Sequence, residues 1–382
     1  MLRYPVNLAR KIKKRGFFWL LSQLHDEWRY PHSKFGMRFQ SIRKKCNPLF
    51  WQRVIRHRFH KETSSFIAIY DLAVKPVTYD FAVFLAIVEM HRKQSNYRDY
   101  VVVFVPGPKD GLRNEVDSYE TVVPPAARKW RLANLVIPML DLAPYCSGYH
   151  VCHSRAAAVK YLQYDKKDFF PADYDVTYPT AVSRNAWRVY LTPDNTPRVL
   201  RAPLQAKCYV EEWFNSRGWE KSKTISITIR HYGYEDARNS NVSSWCKLAE
   251  YLELRGYRVV FVPDLDDAMR ENKEISFTIF DQACWNLHLR MALYELCYVN
   301  MFVNSGPAAL CYLSDAPYIM TKIVTEDVGQ TCQTSLEDQG YSNKCTPEFA
   351  SHDQVWAWHE DGVDSLKTTF DQYEMERTRR GG

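Results

Sequence analysis

The sequence predicts an α/β protein of two domains, each built around a parallel sheet covered by helices. Three observations predict it. The pentapeptide VVFVP occurs twice, at Val102–Pro106 and at Val259–Pro263. Each copy closes a strand–helix–strand pattern. The spacing is nearly the same in both halves, 36 residues from Phe66 to Val102 and 34 from Ile225 to Val259. A continuous apolar run without alternation suits a parallel strand covered on both faces. Few residue types fit such a strand, so the pentapeptide alone can recur by chance. The repeated order and spacing, which match two right-handed βαβ units, carry the prediction.

In order, SSFIAIYDLAV reads as a strand rich in branched and aromatic residues. YDFAVFLAIVEMHRK has helical spacing, with Phe81, Phe84, Leu85, Val88 and Met90 on its apolar side. YVVVFVPGP is the buried strand that closes the first unit. ARKWRLANLVIPMLDLA reads as one helix running to a break near Pro144, GYHVCHS as a strand and RAAAVKYLQ as a helix. Residues 165–203 are rich in Asp, Tyr, Pro and Thr, and the domain crossing is expected at 190–205. KTISITIRHYG opens the second unit. VSSWCKLAEYLELRG follows as a helix stopped by Gly256, and YRVVFVPD as the second buried strand. FDQACWNLHLRMALYELC reads as one helix, YVNMFVNSG as a strand, and PAALCYLSD as a helix starting at Pro307, where proline suits the first turn. The expected division is a basic helical arm at 1–62, an N-terminal domain at 63–200, a C-terminal domain at 201–365 and a closing helix or tail at 366–382.

Charge is unevenly placed in these 382 residues. Residues 1–62 hold 16 Lys and Arg against three Asp and Glu, a net of +13; the whole chain is +7, so the remainder is −6. Basicity therefore belongs to the arm, and a general affinity for nucleic acid is not implied. In NLARKIKKRGFFWLLSQLHDEWRY the basic residues stand beside Trp, Phe and Leu, a mixture that suits a helix lying in a membrane interface. An amphipathic helix packed on the body has the same pattern, and so does a single-stranded nucleic-acid binder. The expected partner is an anionic membrane surface, and nucleic acid is not expected. The ten cysteines form no C-x-x-C pair and no zinc spacing, which fits a reducing compartment. The longest apolar run near the N-terminus, Phe17–Leu21, is too short for a signal core or a membrane span. A cytoplasmic protein, peripheral at the inner membrane face, is expected.

Ligands of open parallel sheets bind beyond the carboxyl ends of the strands, so the residues just after each strand are the candidates. In the second half, Asn304, Ser305, Gly306 and Pro307 form a polar turn between strand and helix, a place that suits phosphate; a plain Asn/Ser helix cap reads the same way. Arg230 ends a strand, and Arg238, Asn239 and Ser240 precede the next helix. Two guanidinium groups beside a helix start can hold a diphosphate, while Arg238 can equally pair with Glu235 or Asp236. Asp264 opens DLDD, which can take a metal, contact a ribose or cap a helix. No metal or other cofactor is expected. In the first half, Asp71, Asp80, Asp110 and His153 are candidate general bases. Asp71 ranks first because it ends a strand, though capping its own loop is the competing role. No G-x-G-x-x-G, no P-loop and no G-x-S-x-G elbow is present.

These segments together resemble the GT-B glycosyltransferases, and more narrowly those of bacterial surface-polysaccharide gene clusters. The resemblance rests on ISITIR, RNSN, VVFVPD, LRMALYE, NSGPAAL and HDQVWAWHED, with PVTYDFAVFLAIVEMHR and KWRLANLVIPMLDLAP in the first half. It covers about residues 60–365, and no motif in it is diagnostic alone. It implies two Rossmann-like domains with parallel sheets facing a central cleft. The C-terminal domain would hold a UDP- or GDP-sugar and the N-terminal domain a glycan or lipid-linked acceptor. An arginine after the first C-terminal strand is similar to the one that contacts the donor diphosphate in fucosyltransferase-like enzymes; here it is Arg230. The paired Arg-Arg of that pattern is missing, since His231 follows, so donor base and sugar stay open. Two other functions fit the same residues: a nucleotide-sugar epimerase of the same fold, which would interconvert donors without acceptor, and a non-enzymatic membrane or nucleic-acid-binding protein, indifferent to nucleoside diphosphates.

Overall fold

A computed structural model describes residues 65–164, 168–264, 275–339, 341 and 344–381, together with residue 42. The arm expected at 1–62 otherwise lies outside the described residues. The elements begin with β1 (Ser65–Asp71), α1 (Asp80–Gln94), β2 (Asp99–Val105), α2 (Asp117–Val122), α3 (Pro125–Arg131), β3 (Cys146–Val151), α4 (Arg155–Tyr164) and β4 (Asp168–Phe170). They continue with α5 (Leu204–Asn215), β5 (Thr224–Thr228), α6 (Val242–Leu254), β6 (Arg258–Val262), β7 (Thr278–Ile279), α7 (Gln282–Trp285) and α8 (Leu287–Leu296). The last are β8 (Val299–Val303), α9 (Ala308–Tyr312), β9 (Tyr318–Thr321), α10 (Gln333–Asp338), β10 (Gln354–Trp356) and α11 (Val363–Gly381).

Two compact units are present, and the chain passes between them more than once. The first comprises Met1–Pro76, Tyr97–Asn114 and Ser147–Val182; the second comprises Val77–Asn96, Glu115–Cys146 and Ser183–Gly382. The first unit holds a sheet of order β3-β2-β1-β4, with β1 parallel to both β2 and β4. Strand alternation decides its faces. Ile67, Ile69, Val103 and Val105 pack with Ala158 and Leu162 of α4. Phe66, Ala68, Tyr70 and Phe104 point the other way and are equally buried.

The second unit holds a parallel sheet of order β10-β9-β8-β5-β6-β7. In chain order that is 6-5-4-1-2-3, the doubly wound arrangement, and its direction reverses between β5 and β8. Ile225, Ile227 and Ile229 join Val259, Phe261, Val299 and Met301 on one face, under Trp245, Leu248 and Leu252 of α6 and Leu366, Phe370 and Tyr373 of α11. Between them, Thr224, Ser226 and Thr228 point to the opposite face and are buried with partners. Ser226 donates to Asn300 Oδ1 at 2.5 Å, Thr228 Oγ1 lies 2.8 Å from the Tyr294 hydroxyl, and Asn300 donates to the Tyr294 carbonyl at 2.7 Å. Satisfied polar groups of this kind are tolerated in a core because none is left without a hydrogen bond.

Three segments depart from the sequence reading. ARKWRLANLVIPMLDLA is not one helix. After α3 the turn widens to π geometry at Leu132–Val136, with Ile137 N–H donating to the Leu132 carbonyl, and a 3₁₀ turn follows at Pro138–Leu142. Pro138 has no N–H to continue an α-helix, and its ring would meet the carbonyl four residues back. FDQACWNLHLRMALYELC breaks at Asn286, whose side chain accepts from the His288 and Leu289 N–H groups and so starts α8 afresh. Helix α1 is not one-sided either: from Phe81 to Met90 every residue except Val83 is buried, as expected of a helix apolar nearly all round.

Candidate functional site

The doubly wound sheet of the second unit places its crevice beyond the carboxyl ends of β5 and β8. Thr228 ends β5, so Arg230 emerges there; Val303 ends β8, so Asn304, Ser305 and Gly306 emerge beside it. Asp264 follows β6 and Lys322 follows β9. The fold thus gathers at one edge all the residues expected to hold a donor.

Arg230 is 8% exposed. Its guanidinium donates to the carbonyls of Tyr234 at 2.7 Å and Glu235 at 3.1 Å, and to Asn239 Oδ1. Its backbone pairs with Ser240 twice, through Arg230 N–H to Ser240 Oγ at 2.9 Å and Ser240 N–H to the Arg230 carbonyl at 2.8 Å. Asn239 also accepts from Tyr232 N–H and donates to the Tyr232 carbonyl. Arg230, Asn239 and Ser240 therefore fasten the 231–239 loop. Burial, and then the neighbouring charge of Arg238, push the Arg230 pKa down to about 10. Loss of water around the guanidinium is the larger cause, and Arg238 adds to it.

Arg238 bridges the loops. One nitrogen pairs with Glu235 at 3.0 Å, the ion pair foreseen as the competing role, and another donates to the Asn304 carbonyl at 3.0 Å. Its Nε is buried and has no hydrogen-bond partner among the described residues. The same is true of the Ser305 hydroxyl, in a residue only 7% exposed. Asn304 is no helix cap: its side chain donates to the Ile323 carbonyl at 2.9 Å. Pro307 precedes α9, a helix of five residues whose first N–H groups already bond the carbonyls of Ser305, Gly306 and Pro307. The helix-end attraction expected there is therefore weak, and side chains supply the positive character instead. Lys322 adds a cation, donating to the Asn239 carbonyl at 2.9 Å, with Glu360 at 3.7 Å and Asp361 at 3.9 Å. Asp264 accepts from His231 N–H at 2.7 Å. Asp266 and Asp267 lie outside the described residues, and among the described residues no cluster of three ligand-type side chains could hold a metal.

Sequence reading missed four contributors. The ring of Tyr79 lies against Gly306, where a Cβ would stand 2.7 Å from its Cδ2. Arg131 donates to the Tyr232 hydroxyl at 2.8 Å. Lys322 reaches the Asn239 carbonyl, and Arg290 is an electrostatic neighbour of Tyr79. Nothing local marks Tyr79 or Arg131, since each reaches the site only through the fold. Arg290 looks like an ordinary polar position of a helix. Lys322 follows a strand whose four residues, YIMT, gave no sequence signal.

The candidate bases are scattered. Asp71 is 3% exposed, and both of its oxygens are fully engaged. Oδ1 accepts from Ala73 N–H at 2.8 Å and Arg155 at 2.9 Å; Oδ2 accepts from Arg155 at 2.9 Å and the Tyr174 hydroxyl at 2.6 Å. Arg155 also donates to the Pro106 carbonyl at 2.9 Å. Asp71 thus ties the ends of β1 and β2 together, and each of its oxygens already accepts two hydrogen bonds. Asp110 is exposed, with positive φ of 52°, in the turn that joins Gly107 to Gly111. His153 is exposed just before α4. Asp80 opens α1, one residue after Tyr79, and belongs to the same unit as the cationic site.

No family model matches the chain, and no curated protein matches its sequence. Several solved structures share its fold, among them two glycosyltransferases. One is a glycosyl transferase of family 9 from Veillonella parvula, at 11% identity and TM-score 0.50, covering 82% of this chain and 92% of that one. The other is the ADP-heptose lipopolysaccharide heptosyltransferase II of E. coli, at 11% identity and TM-score 0.50, covering 82% and 99%. The chain therefore has the α/β architecture with two parallel sheets that it shares with glycosyltransferases of the GT-B fold.

Proposed function

We propose that the protein is a glycosyltransferase that moves a hexosyl or deoxyhexosyl group from a nucleotide-diphosphate donor to a glycan or lipid-linked acceptor, in cell-surface polysaccharide synthesis. One observation carries the reading. At the switch point of the second unit, Arg238 bonds the Asn304 carbonyl while its own Nε and the adjacent Ser305 hydroxyl stand buried without partners among the described residues. Buried donors left open at the carboxyl edge of a doubly wound sheet call for an oxyanion. Arg238, Ser305 and Lys322 would face the diphosphate, and Arg230, Asn239 and Ser240 would hold their loop in shape. Fixed cations suit the charge that grows on a departing diphosphate, so the transfer proceeds without a divalent metal.

The acceptor belongs to the domain at 63–200 and its proton goes to a side-chain base. With Asp71 committed, Asp80, Asp110 and His153 remain, and Asp80 stands first because Tyr79 beside it covers the Gly306 turn. The arm at 1–62 would hold the protein on an anionic cytoplasmic membrane face. Among the described residues no helix is long and apolar enough to cross a membrane. UDP and GDP are the expected donor carriers, and the E. coli neighbour adds ADP to the panel.

The test is calorimetric titration with ADP, UDP and GDP. At least one binds the wild type, and Arg238→Ala weakens it by about tenfold or more, the scale of a lost charge-assisted hydrogen bond. If none of the three binds, the reading fails.

A further inference from the structure

The cationic site has a more deeply buried member than those that line its loops. Arg290 is 4% exposed, and it projects from the middle of α8. Its Nε donates to the Ala283 carbonyl at 2.7 Å, while one terminal nitrogen lies 3.5 Å from the Tyr294 hydroxyl, at the limit of a hydrogen bond. Among the described residues no carboxylate forms an ion pair with it. A guanidinium buried without a carboxylate is costly to the fold, and an apolar side chain of similar volume would pack there without that cost.

Its surroundings are built from the same elements that form the switch point. The Tyr294 hydroxyl bonds Thr228 Oγ1 at 2.8 Å, at the end of β5. Tyr79, whose ring lies on Gly306, is an electrostatic neighbour of Arg290, as are Cys284 and Asp264. Near neutral pH only Asp264 among these is negative, and it is already engaged by His231 N–H. The Ser305 hydroxyl, beside Gly306, is buried and without a partner among the described residues. The Tyr79 phenol thus links the two sides: it interacts with the cation on α8 and lies on the glycine next to the open Ser305 hydroxyl.

We infer that Arg290, Tyr79 and Ser305 form an inner phosphate subsite, in which the buried guanidinium takes an oxygen of the bound diphosphate. The inference rests on the nucleotide-sugar reading and adds Arg290 and Tyr79 to the diphosphate contacts of that reading. It explains why a charge is kept where a methionine would fit: the fold carries a buried cation so that an anion completes it on binding.

The competing role is a staple, in which Arg290 only joins α8 to the Ala283 carbonyl of α7. Arg290→Met separates the two, with inorganic pyrophosphate and the nucleoside diphosphate that binds best as probes. A phosphate subsite predicts that the unliganded melting temperature stays level or rises, while both probes bind about tenfold or more weakly. A staple predicts a lower melting temperature with unchanged affinity of the folded protein, and that outcome overturns the inference. Ser305→Ala removes an unpartnered hydroxyl, so it folds normally even if Arg290→Met does not. It should weaken pyrophosphate several-fold, and wild-type affinity in this variant counts against the subsite. The wild-type titration stands apart: if neither probe binds it, the nucleotide-sugar reading has failed, whereas binding that survives Arg290→Met sinks the inner subsite alone.

Discussion

Asp71→Asn distinguishes an anchor from a base. The substitution keeps the volume and one carbonyl oxygen but removes the charge. Asp71 accepts four hydrogen bonds within 2.9 Å, two of them from the Arg155 fork. The new amide nitrogen would meet either the Arg155 donors or the Tyr174 hydroxyl, so at least one strong bond is lost. Breaking a buried pair by neutralising one partner costs about 3–5 kcal/mol. Arg155 is 23% exposed and keeps its bond to the Pro106 carbonyl, so water and that carbonyl recover part of the cost. The expected loss is about 2–3 kcal/mol. Chemical denaturation followed by tyrosine and tryptophan fluorescence reads it, with Tyr174→Phe as a companion that loses one hydrogen bond to a charged acceptor, about 1.5–3 kcal/mol. An Asp71→Asn protein of wild-type stability that has lost all transfer activity would refute the reasoning and return Asp71 to the role of base.

Gly306→Ala sets a Cβ 2.7 Å from the Tyr79 ring, so the ring must move off the turn; a cost of about 1–3 kcal/mol is expected, with weaker nucleotide binding, and denaturation of the variant beside Tyr79→Ala and Tyr79→Ala,Gly306→Ala checks that the ring is the cause of the stability loss. Asp80→Asn should lower the turnover of the transfer reaction while leaving nucleoside-diphosphate affinity unchanged, which steady-state kinetics and calorimetry read separately. Glu89 is 7% exposed, and burial raises its pKa above the ordinary 4.5 in spite of Arg92 at 2.8 Å. The folded chain then holds this proton more tightly than the unfolded chain. Its contribution is fully present below pH 4.5 and is lost as pH rises through the raised value. Glu89→Gln should flatten that part of the stability profile, as denaturation midpoints across the acid range will show.

The sequence by itself determined the strand–helix–strand plan of each half, because a doubly covered parallel strand must be a short unbroken apolar run and both copies of VVFVP are that. Through the strand ends, it also determined which loop residues stand at the ligand edge: Arg230, Asp264 and Asn304 follow β5, β6 and β8. Tertiary structure decided how those residues are used. Whether Arg230 is open or bound to its own loop depends on where the carbonyls of Tyr234 and Glu235 fold back. Whether Asp71 is a base depends on Arg155, distant in sequence but hydrogen-bonded to it. The short strands β7, β9 and β10 gave no pattern of their own, because two to four residues span too little of a period to be read, and they exist only through pairing with longer neighbours. Tyr79 and Arg290 were invisible for the same reason: periodicity reports which face of a helix is buried, while the identity of the group it is buried against is fixed only when separated segments pack.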